Sequence, residues 1–334
     1  MAGGTLASVV FCAFLQAGPP ARFSTRFEAS SLFPVPDSLV RTTVALRGAE
    51  GLEWLDRLPS IVADCERRWE IRVGPPFTPL SYNYAAPAVR AGGMAAVLKV
   101  CFPDREFLAE AGALRLFGGH GMARLLEADL DQGALLLEHL RPGTPLESVE
   151  DDQEATAIAA AVLRQLWRPP PPDHQFPFVA DWGTGFVRLR AQFEGGSGPL
   201  PAVLVDEAET LFAELLASQA APVLLHGDLH HGNILATQRE PWLAIDPKGV
   251  AGEAAYDTGA LLRNPAKLLA ASQPGRILAR RVDQLAEELG LDRARVRGWG
   301  LAQAVLAAYW SLEDNGHVWR QPLVCAELLA AIHI

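Results

Sequence analysis

A polar loop enclosed by apolar segments, over residues 223–235, is the feature that most limits what this chain can fold into. Its central residues read His-Gly-Asp-Leu-His-His-Gly-Asn, and a second apolar segment, residues 242–245, ends at Asp246, thirteen positions after Asn233. Short apolar segments of this kind are typical of buried strands, and the loops that follow strands often carry functional side chains. The pattern therefore predicts that two strands deliver Asp228, Asn233 and Asp246 to one site.

These three side chains suit phosphoryl transfer. Transfer from a nucleoside triphosphate requires a hard cation with oxygen ligands, such as Mg²⁺, and a group that orients the acceptor hydroxyl and takes its proton. Asp228 precedes Asn233 by five positions, which is the spacing of the catalytic aspartate and the metal-binding asparagine in kinase catalytic loops. The spacing predicts that Asp228 is the catalytic base, that Asn233 and Asp246 hold Mg²⁺, and that ATP is the donor.

Short apolar segments between residues 69 and 100 predict an antiparallel meander of strands. The last segment places Lys99 in an otherwise apolar run, where its ammonium needs either solvent or an anionic partner. Residues 104–116 have helical composition, and Glu106 and Glu110 lie four positions apart on one side of that helix. Either glutamate could pair with Lys99, which taken alone could equally be a solvent-facing lysine on an edge strand.

The order of elements predicts an α+β protein with two lobes. A buried strand over residues 133–140, ended by Arg-Pro-Gly, predicts a hinge between a β-rich nucleotide-binding lobe, residues 28–140, and a helical lobe, residues 141–334, that carries the catalytic loop and the substrate site. Ligands favour the cleft between such lobes. Residues 1–27 are predicted to be a flexible extension. Helical periodicity in the second lobe covers residues 154–167, 203–218, 275–289 and 299–312.

Composition and charge indicate a globular protein. With 49% hydrophobic residues and a net charge of −10, the chain lacks the basic surface of non-specific nucleic-acid binders but can accept a cationic ligand. The apolar run over residues 6–15 superficially resembles part of a signal peptide. However, no basic residue precedes it and it is too short to span a bilayer. The absence of an export or membrane segment, together with a need for ATP, predicts a cytoplasmic protein with no membrane partner.

The catalytic-loop residues, together with the pair Ile245-Asp246, resemble the aminoglycoside phosphotransferase family. Five further segments are similar to its streptomycin 6-phosphotransferase and hydroxyurea phosphotransferase branch, and the likeness runs from about residue 34 to the end of the chain. The resemblance implies a protein-kinase-like fold and transfer of the γ-phosphoryl group of ATP to a hydroxyl of a streptomycin-like, cationic aminoglycoside. The five segments are Ser81-Tyr82-Asn83-Tyr84, Val97-Leu98-Lys99-Val100, Leu135-Leu136-Leu137-Glu138, Pro142-Gly143-Thr144-Pro145-Leu146 and Ala244-Ile245-Asp246-Pro247-Lys248-Gly249.

The resemblance also implies which residues hold the nucleotide. Lys99 would contact the phosphates and Glu110, rather than Glu106, would hold it, while the backbone of residues 137–140 would bind adenine. The chain departs from protein kinases in one respect, because no Gly-x-Gly-x-x-Gly loop precedes Lys99 and the corresponding turn is residues 81–84. The implied nucleotide-binding set is Lys99, Glu110, Ser81, Asn83, Glu138 and Leu140.

Three histidines near the predicted catalytic aspartate, His226, His230 and His231, are compatible with a second kind of site, one that binds a transition metal. Imidazole is a common zinc ligand, so a metal-dependent hydrolase is an alternative, whereas in the kinase interpretation His226 supports the loop backbone. Asp257 could be mistaken for a third metal ligand. Its place just before an apolar helical segment favours a structural role as a helix cap or loop brace.

The acceptor is the least determined part of the prediction. Glu313 and Asp314 follow an aromatic helical segment and could bind the guanidinium or ammonium groups of a cationic sugar, although they could equally be a solvated helix end. Hydroxyurea or another small hydroxyl metabolite remains an alternative acceptor. A nucleotide-binding pseudokinase remains a further alternative, because a fold does not prove turnover.

Overall fold

The computed structural model describes residues 35–333, which form a five-stranded sheet followed by a largely helical region. The predicted extension over residues 1–27, including the apolar run at 6–15, lies outside the described residues. The described chain begins with α1 (Asp37–Trp69), in which Gly48 has φ 55° and interrupts the helical path, and which contains Pro59. These two residues disrupt helical periodicity in the sequence, which explains why no helix is predicted there.

The predicted meander is confirmed. All strand pairs of the N-terminal sheet are antiparallel, in the order β1-β2-β3-β5-β4, and Lys99 lies opposite Ala85 on one side and Leu135 on the other. The predicted helix after Lys99 begins at an N-cap, because the Asp104 side chain accepts a hydrogen bond from Phe107 N at 3.1 Å. The elements are β1 (Ile71–Val73), β2 (Tyr84–Arg90), β3 (Ala95–Val100), α2 (Arg105–Phe117), β4 (Leu125–Asp129) and β5 (Ala134–Glu138).

Two large hydrophobic cores lie within residues 35–333. The second half of α1 packs on the sheet, where Trp54, Leu58 and Ile61 share a core with Leu98 and Leu136. Helix α2 contributes mainly to the other, larger core: its apolar residues pack in the same cluster as those of the long C-terminal helices. Because α2 carries Glu106 and Glu110, this packing ties the position of both glutamates to the helical region.

The helical region confirms the four predicted helices and contains four further α-helices outside those ranges. Helix α4 was missed because it contains Gly183 and Gly185, which weaken a helical signal. A Cβ atom at Gly183 would lie 2.3 Å from the ring of Phe212, so close helix packing requires glycine there. The elements are β6 (Pro142–Pro145), α3 (Asp152–Leu166), α4 (Val179–Gln192), α5 (Ala202–Ala217), β7 (Val223–Leu225), β8 (Ile234–Thr237), β9 (Trp242–Ala244), β10 (Val250–Gly252), α6 (Gly259–Arg263), α7 (Ala266–Leu269), α8 (Pro274–Leu289), α9 (Arg293–Asn315) and α10 (Arg320–Ala330).

Two small antiparallel sheets support the predicted catalytic loop. Strand β7, which leads into the loop, pairs with β10, while β8, which leaves it, lies between β6 and β9. Helix α9 shares the larger hydrophobic core with residues of β7 and β10, and its residues from Trp299 to Trp310 are almost completely buried. Across residues 35–333, no helix combines the length and the apolar character needed to cross a membrane.

Candidate active site

The side chain of Asp257 fixes the backbone of the predicted catalytic loop. Its carboxylate accepts hydrogen bonds from the backbone N of Gly227 at 2.7 Å and of His226 at 2.9 Å, and from the indole of Trp167 at 3.1 Å. Gly227 has φ 85°, and a Cβ there would lie 2.8 Å from the Trp182 ring. Asp257 is therefore the loop brace that the sequence favoured, because its carboxylate oxygens are directed at the loop backbone.

His226 connects the loop to the strand that delivers the second carboxylate. Its Nε2 lies 2.8 Å from the carbonyl oxygen of Ile245, and its Nδ1 accepts from Asp228 N at 3.2 Å. Burial lowers the pKa of His226 to about 4, so the ring is neutral at pH 7, with Nε2 the donor and Nδ1 the acceptor. This single ring fixes the backbone of both aspartates, Asp228 directly and Asp246 through its neighbour.

The other two histidines of the proposed zinc set have separate partners. His230 Nδ1 accepts from the backbone N of Gly232 at 3.0 Å, and His231 Nε2 lies 3.4 Å from a guanidinium nitrogen of Arg281. His226 uses both ring nitrogens within the loop, as described above. The structure therefore gives the three rings individual positioning roles and does not direct them at a common point.

Asp228 is 5% exposed, and one of its oxygens is fixed while the other is not. Its Oδ1 accepts from the Arg263 guanidinium at 3.0 Å, whereas Oδ2 has no hydrogen-bond partner among the described residues. Burial raises the pKa of Asp228, and the charges of His230, Arg263 and Lys248 oppose that rise. The result is an oriented carboxylate whose second oxygen has no partner among the described residues, an arrangement that a general base requires.

Asn233 and Asp246 lie side by side across the end of β9. The backbone N of Ile245 donates to the carbonyl of Asn233 at 2.9 Å, and the Asn233 side-chain amide donates to the carbonyl of Asp228 at 3.0 Å. The side-chain Oδ1 of Asn233 is buried and has no partner within residues 35–333. Asp246 has φ 64°, a left-handed conformation that aspartate tolerates and that often marks functional sites.

Lys99 is buried and pairs with two carboxylates. Its ammonium donates to Glu110 Oε1 at 2.6 Å and also to Asp246 Oδ1. Burial alone would lower the pKa of Lys99, but Asp246 and Glu110 outweigh it and raise the pKa well above its usual value. Burial alone would likewise raise the pKa of Asp246, but Lys99 and Lys248 hold it at about 2. Lys99 and Asp246 are thus both ionised at neutral pH, whereas burial raises the pKa of Glu110.

The remaining predicted nucleotide-binding residues lie in the turn between β1 and β2 and at the predicted hinge. Asn83 lines the cleft with Glu106 and Asp246, and Ser81 lies two positions before it in the turn between β1 and β2. At the predicted hinge, the carboxylate of Glu138 is held by Arg239 at 3.0 and 2.9 Å. Leu140 lies two positions later, in a small apolar cluster with Ala123, Leu235, Leu243 and Ile245.

The two acidic residues near the end of α9 differ in availability. Glu313 forms a two-pronged ion pair with Arg188 at 2.7 and 2.9 Å and also accepts from the Tyr309 hydroxyl at 2.8 Å. Asp314 Oδ1 is buried and has no partner among residues 35–333. Burial, followed by the charges of Glu313 and Glu106, raises the pKa of Asp314 to about 7. Asp314 is therefore the better placed of the two for a cationic ligand.

Two basic residues in the site received no role from the sequence. Arg263, at the end of α6, binds Asp228 and also donates to the side chain of Gln303. Lys248, two positions after Asp246, lines the cleft. The position of Arg263 at the end of the apolar run Gly-Ala-Leu-Leu was a signal for a buried ion pair. Its partner, Asp228, lies 35 positions earlier in the chain, so sequence spacing does not identify it.

Comparisons with known proteins agree with this geometry. The family profile described as "Aminoglycoside/hydroxyurea antibiotic resistance kinase" matches residues 79–315, which contain all of the site residues described above. A streptomycin 6-kinase from Streptomyces griseus is 35% identical over 282 residues, covering 84% of this chain and 92% of that protein. A hydroxyurea phosphotransferase from Kitasatospora aureofaciens is 36% identical over 287 residues, covering 84% and 81%.

Solved structures confirm the predicted protein-kinase-like fold. An aminoglycoside phosphotransferase solved with ADP and hygromycin B superposes with a TM-score of 0.56 at 14% identity, covering 81% of this chain and 98% of that one. A choline kinase from Streptococcus pneumoniae superposes with a TM-score of 0.58 at 12% identity, covering 83% and 100%. Fold, site geometry and sequence similarity agree, and the chain belongs to the aminoglycoside/hydroxyurea antibiotic resistance kinase family.

Proposed function

We propose that this protein is an ATP- and Mg²⁺-dependent phosphotransferase that moves the γ-phosphoryl group to a hydroxyl of a streptomycin-like aminoglycoside. The observation that carries the proposal is the free, buried Oδ2 of Asp228, set beside Asn233 and Asp246 in a chain 35% identical to a streptomycin 6-kinase. A dependence on ATP accords with action in the cytoplasm.

In the proposed reaction, Asp228 Oδ2 accepts the hydrogen of the acceptor hydroxyl and removes it as the oxygen attacks the γ-phosphorus. A new O–P bond forms, the bond between the γ-phosphorus and the β,γ-bridging oxygen breaks, and ADP leaves with that electron pair. Arg263 fixes the other oxygen of Asp228, at 3.0 Å, so that the carboxylate is already oriented before the acceptor binds.

The chain offers a matching set of groups to the nucleotide. Lys99 would exchange its bond with Asp246 for nucleotide phosphate oxygens while keeping Glu110 as its anchor. The apolar cluster around Leu140 and Ile245 would receive the adenine ring, and the backbone of residues 137–140 would form hydrogen bonds with its edge. Ser81 and Asn83 would close over the phosphates from the turn between β1 and β2.

Asn233 and Asp246 fit the ligand requirements of Mg²⁺. Both present oxygen atoms, the ion's preferred donors, and the Oδ1 of Asn233 is a buried acceptor that finds no partner within residues 35–333. Such a group is costly unless a ligand satisfies it, which is an independent reason to place the cation there. When bound, Mg²⁺ would neutralise phosphate charge and orient the triphosphate.

The acidic surroundings of Asp314 favour a cationic acceptor. Glu106 and Tyr82 line the cleft and both lie near enough to Asp314 to interact with it electrostatically. The net charge of −10 acts in the same direction by attracting polycations. Hydroxyurea is a second candidate acceptor, because a phosphotransferase for it is 36% identical to this chain.

The proposal is tested by coupled measurement of ADP release from Mg²⁺-ATP with streptomycin, other aminoglycosides, hydroxyurea or no acceptor. We expect streptomycin-dependent turnover, with a phosphorylated product detected by mass spectrometry. Hydroxyurea-dependent turnover alone would establish the second candidate. Nucleotide binding without turnover on any acceptor would instead favour a pseudokinase.

A pH profile of acceptor binding should report on Asp314. Because its pKa is raised to about 7, the carboxyl is largely neutral at pH 6 and largely ionised at pH 8. If it binds an acceptor cation, KM for streptomycin should fall as pH rises through about 7. Initial rates at saturating ATP between pH 6 and 8.5 measure this directly.

The variant Asp314→Asn provides the control for this profile. It removes the titrating group and should give a KM for streptomycin that is high and flat across the same pH range. KM for ATP is the comparison in both proteins, and we expect it to change less than KM for streptomycin, because no contact with the nucleotide is assigned to Asp314. A wild-type KM that is independent of pH near 7 would reject a binding role for Asp314.

A further inference from the structure

Lysine is scarce in this chain, and its placement is selective. Only three of the 29 basic residues are lysines: Lys99, Lys248 and Lys267. Lys99 lies in the active site, and Lys267 lies at the surface, where it donates to the carbonyl of Glu147 at 2.9 Å. The second lysine in the cleft, Lys248, has no assigned role.

The backbone of Lys248 is fixed on both sides. Its N–H donates to the carbonyl of His226 at 2.7 Å, within the catalytic loop. The next residue, Gly249, has φ 64°, and a Cβ there would lie 2.5 Å from the carbonyl oxygen of Ala109 on α2. Lys248 is therefore held between the catalytic loop and the helix that carries Glu106 and Glu110.

The side chain of Lys248 lies near several carboxylates but forms no ion pair with any of them. The carboxylates that act on it electrostatically are Glu106, Asp246 and Asp228, in decreasing order of effect. Within residues 35–333 the Lys248 ammonium nevertheless forms no hydrogen bond or ion pair, whereas Lys99 forms two. A cation placed among carboxylates without a fixed partner can bind an incoming anion without first breaking a contact.

The position of Lys248 indicates which incoming anion it binds. In the proposed reaction, Lys99 and Asp246 serve the nucleotide, and Asp228 serves the acceptor hydroxyl. Lys248 lies two positions after Asp246 and interacts with both aspartates. The group that passes between these two sides during the proposed reaction is the γ-phosphoryl group.

We propose that the Lys248 ammonium binds the γ-phosphoryl oxygens of the nucleotide and stabilises their negative charge during transfer. This inference rests on the proposed function. The bonds made and broken are those given above, and Lys248 keeps its protons throughout. A lysine suits the task because a compact ammonium can follow the oxygens as the phosphoryl group moves, whereas the planar guanidinium of arginine has a fixed geometry.

The test compares binding of ADP and of AMP-PNP, a non-hydrolysable triphosphate, to Lys248→Met in the presence of Mg²⁺. Loss of a charge-assisted contact to the γ-phosphate should weaken AMP-PNP by about 10- to 100-fold and leave ADP nearly unchanged. Removing charge stabilisation from the transition state should also lower kcat by about 10²- to 10³-fold. Calorimetric titration and steady-state kinetics measure the two effects.

Matched variants separate this role from a structural one. Lys267→Met, the same change at the surface lysine, should leave both nucleotide affinities and kcat unchanged. Lys248→Arg keeps the charge and should recover part of the preference for AMP-PNP over ADP. Equal weakening of ADP and AMP-PNP by Lys248→Met, or no change in either, would overturn the inference.

Nucleotide binding needs no acceptor, so failure of this inference is distinguishable from failure of the proposed function. If the wild type phosphorylates no aminoglycoside but prefers AMP-PNP in a way that depends on Lys248, the inference stands and the proposed acceptor is rejected. If the wild type turns over streptomycin but Lys248→Met weakens the binding of ADP and of AMP-PNP equally, the proposed function stands and the inference about Lys248 is rejected. A wild-type protein that binds neither nucleotide would overturn both.

Discussion

Replacement of Asp246 by asparagine is expected to lower kcat by about 10⁴-fold, the largest effect of any single change in the site. The carboxylate would hold Mg²⁺ together with Asn233, and loss of such charge stabilisation costs several kcal/mol of transition-state energy, with about 1.4 kcal/mol for each factor of ten. Asparagine is the appropriate replacement because residue 246 has φ 64°, which asparagine tolerates better than alanine. Single-turnover ADP formation at saturating Mg²⁺ measures the loss.

The control for this substitution is a carboxylate-to-amide change at an equally buried site outside the cleft. Glu253 is 6% exposed and accepts from Arg295 and, at 2.9 Å, from the indole of Trp299. Glu253→Gln should lower the melting temperature while leaving kcat within a few-fold of wild type. If Asp246→Asn also kept kcat within tenfold of wild type, the carboxylate could not be a required metal ligand.

The ion pairs of Lys99 connect two parts of the protein and hold the charges of the site in place. Lys99 bonds both Glu110, on α2, and Asp246, at the end of β9, so one ammonium joins the sheet to the helical region. Removing one partner of a buried ion pair typically lowers the free energy of unfolding by about 3–5 kcal/mol, because the remaining charge is buried away from water and has no counter-charge. In Asp246→Asn, Lys99 keeps Glu110, which limits the loss of stability and keeps the kinetic result interpretable.

The catalytic motif was predictable because its parts are close in sequence. Asp228 and Asn233 share one loop, and Asp246 ends the strand that pairs next to it, so local spacing was enough to group them. The pairing of Lys99 with Glu110 rather than Glu106 followed from the family resemblance, since helical spacing alone left both open. Contacts over long separations, such as Arg263 to Asp228, are set by tertiary packing and leave no mark in local spacing.

The fold was predictable where apolar periodicity is regular. Strands β2, β3 and β5 and helices α3, α5, α8 and α9 fall close to their predicted ranges. Helices α1 and α4 were missed because glycine or proline interrupts their patterns. At Gly183 the reason is visible in three dimensions, since the Phe212 ring occupies the space where a side chain would lie.

Replacement of Asp228 by asparagine is expected to lower kcat by about 10²- to 10⁴-fold, the usual contribution of a well-placed general base. The amide keeps the size of the side chain but cannot take a proton from the acceptor hydroxyl. Because burial raises the pKa of Asp228, wild-type kcat should also decline as the pH falls and the base becomes protonated. That acidic decline should disappear in Asp228→Asn. Rates at saturating ATP and acceptor across the pH range give both results.

Asparagine is again preferable to alanine, for a reason specific to this site. Arg263 is 3% exposed, and its partners are the side chains of Asp228 and Gln303. Removing the carboxylate and its volume together would open a cavity and leave that side of the buried guanidinium without a hydrogen-bond acceptor, so lost activity could reflect unfolding. Asp228→Asn keeps a hydrogen-bond acceptor for Arg263 and should retain its affinity for ATP. Near-wild-type kcat in a variant that binds ATP normally would show that the acceptor hydroxyl loses its proton without Asp228.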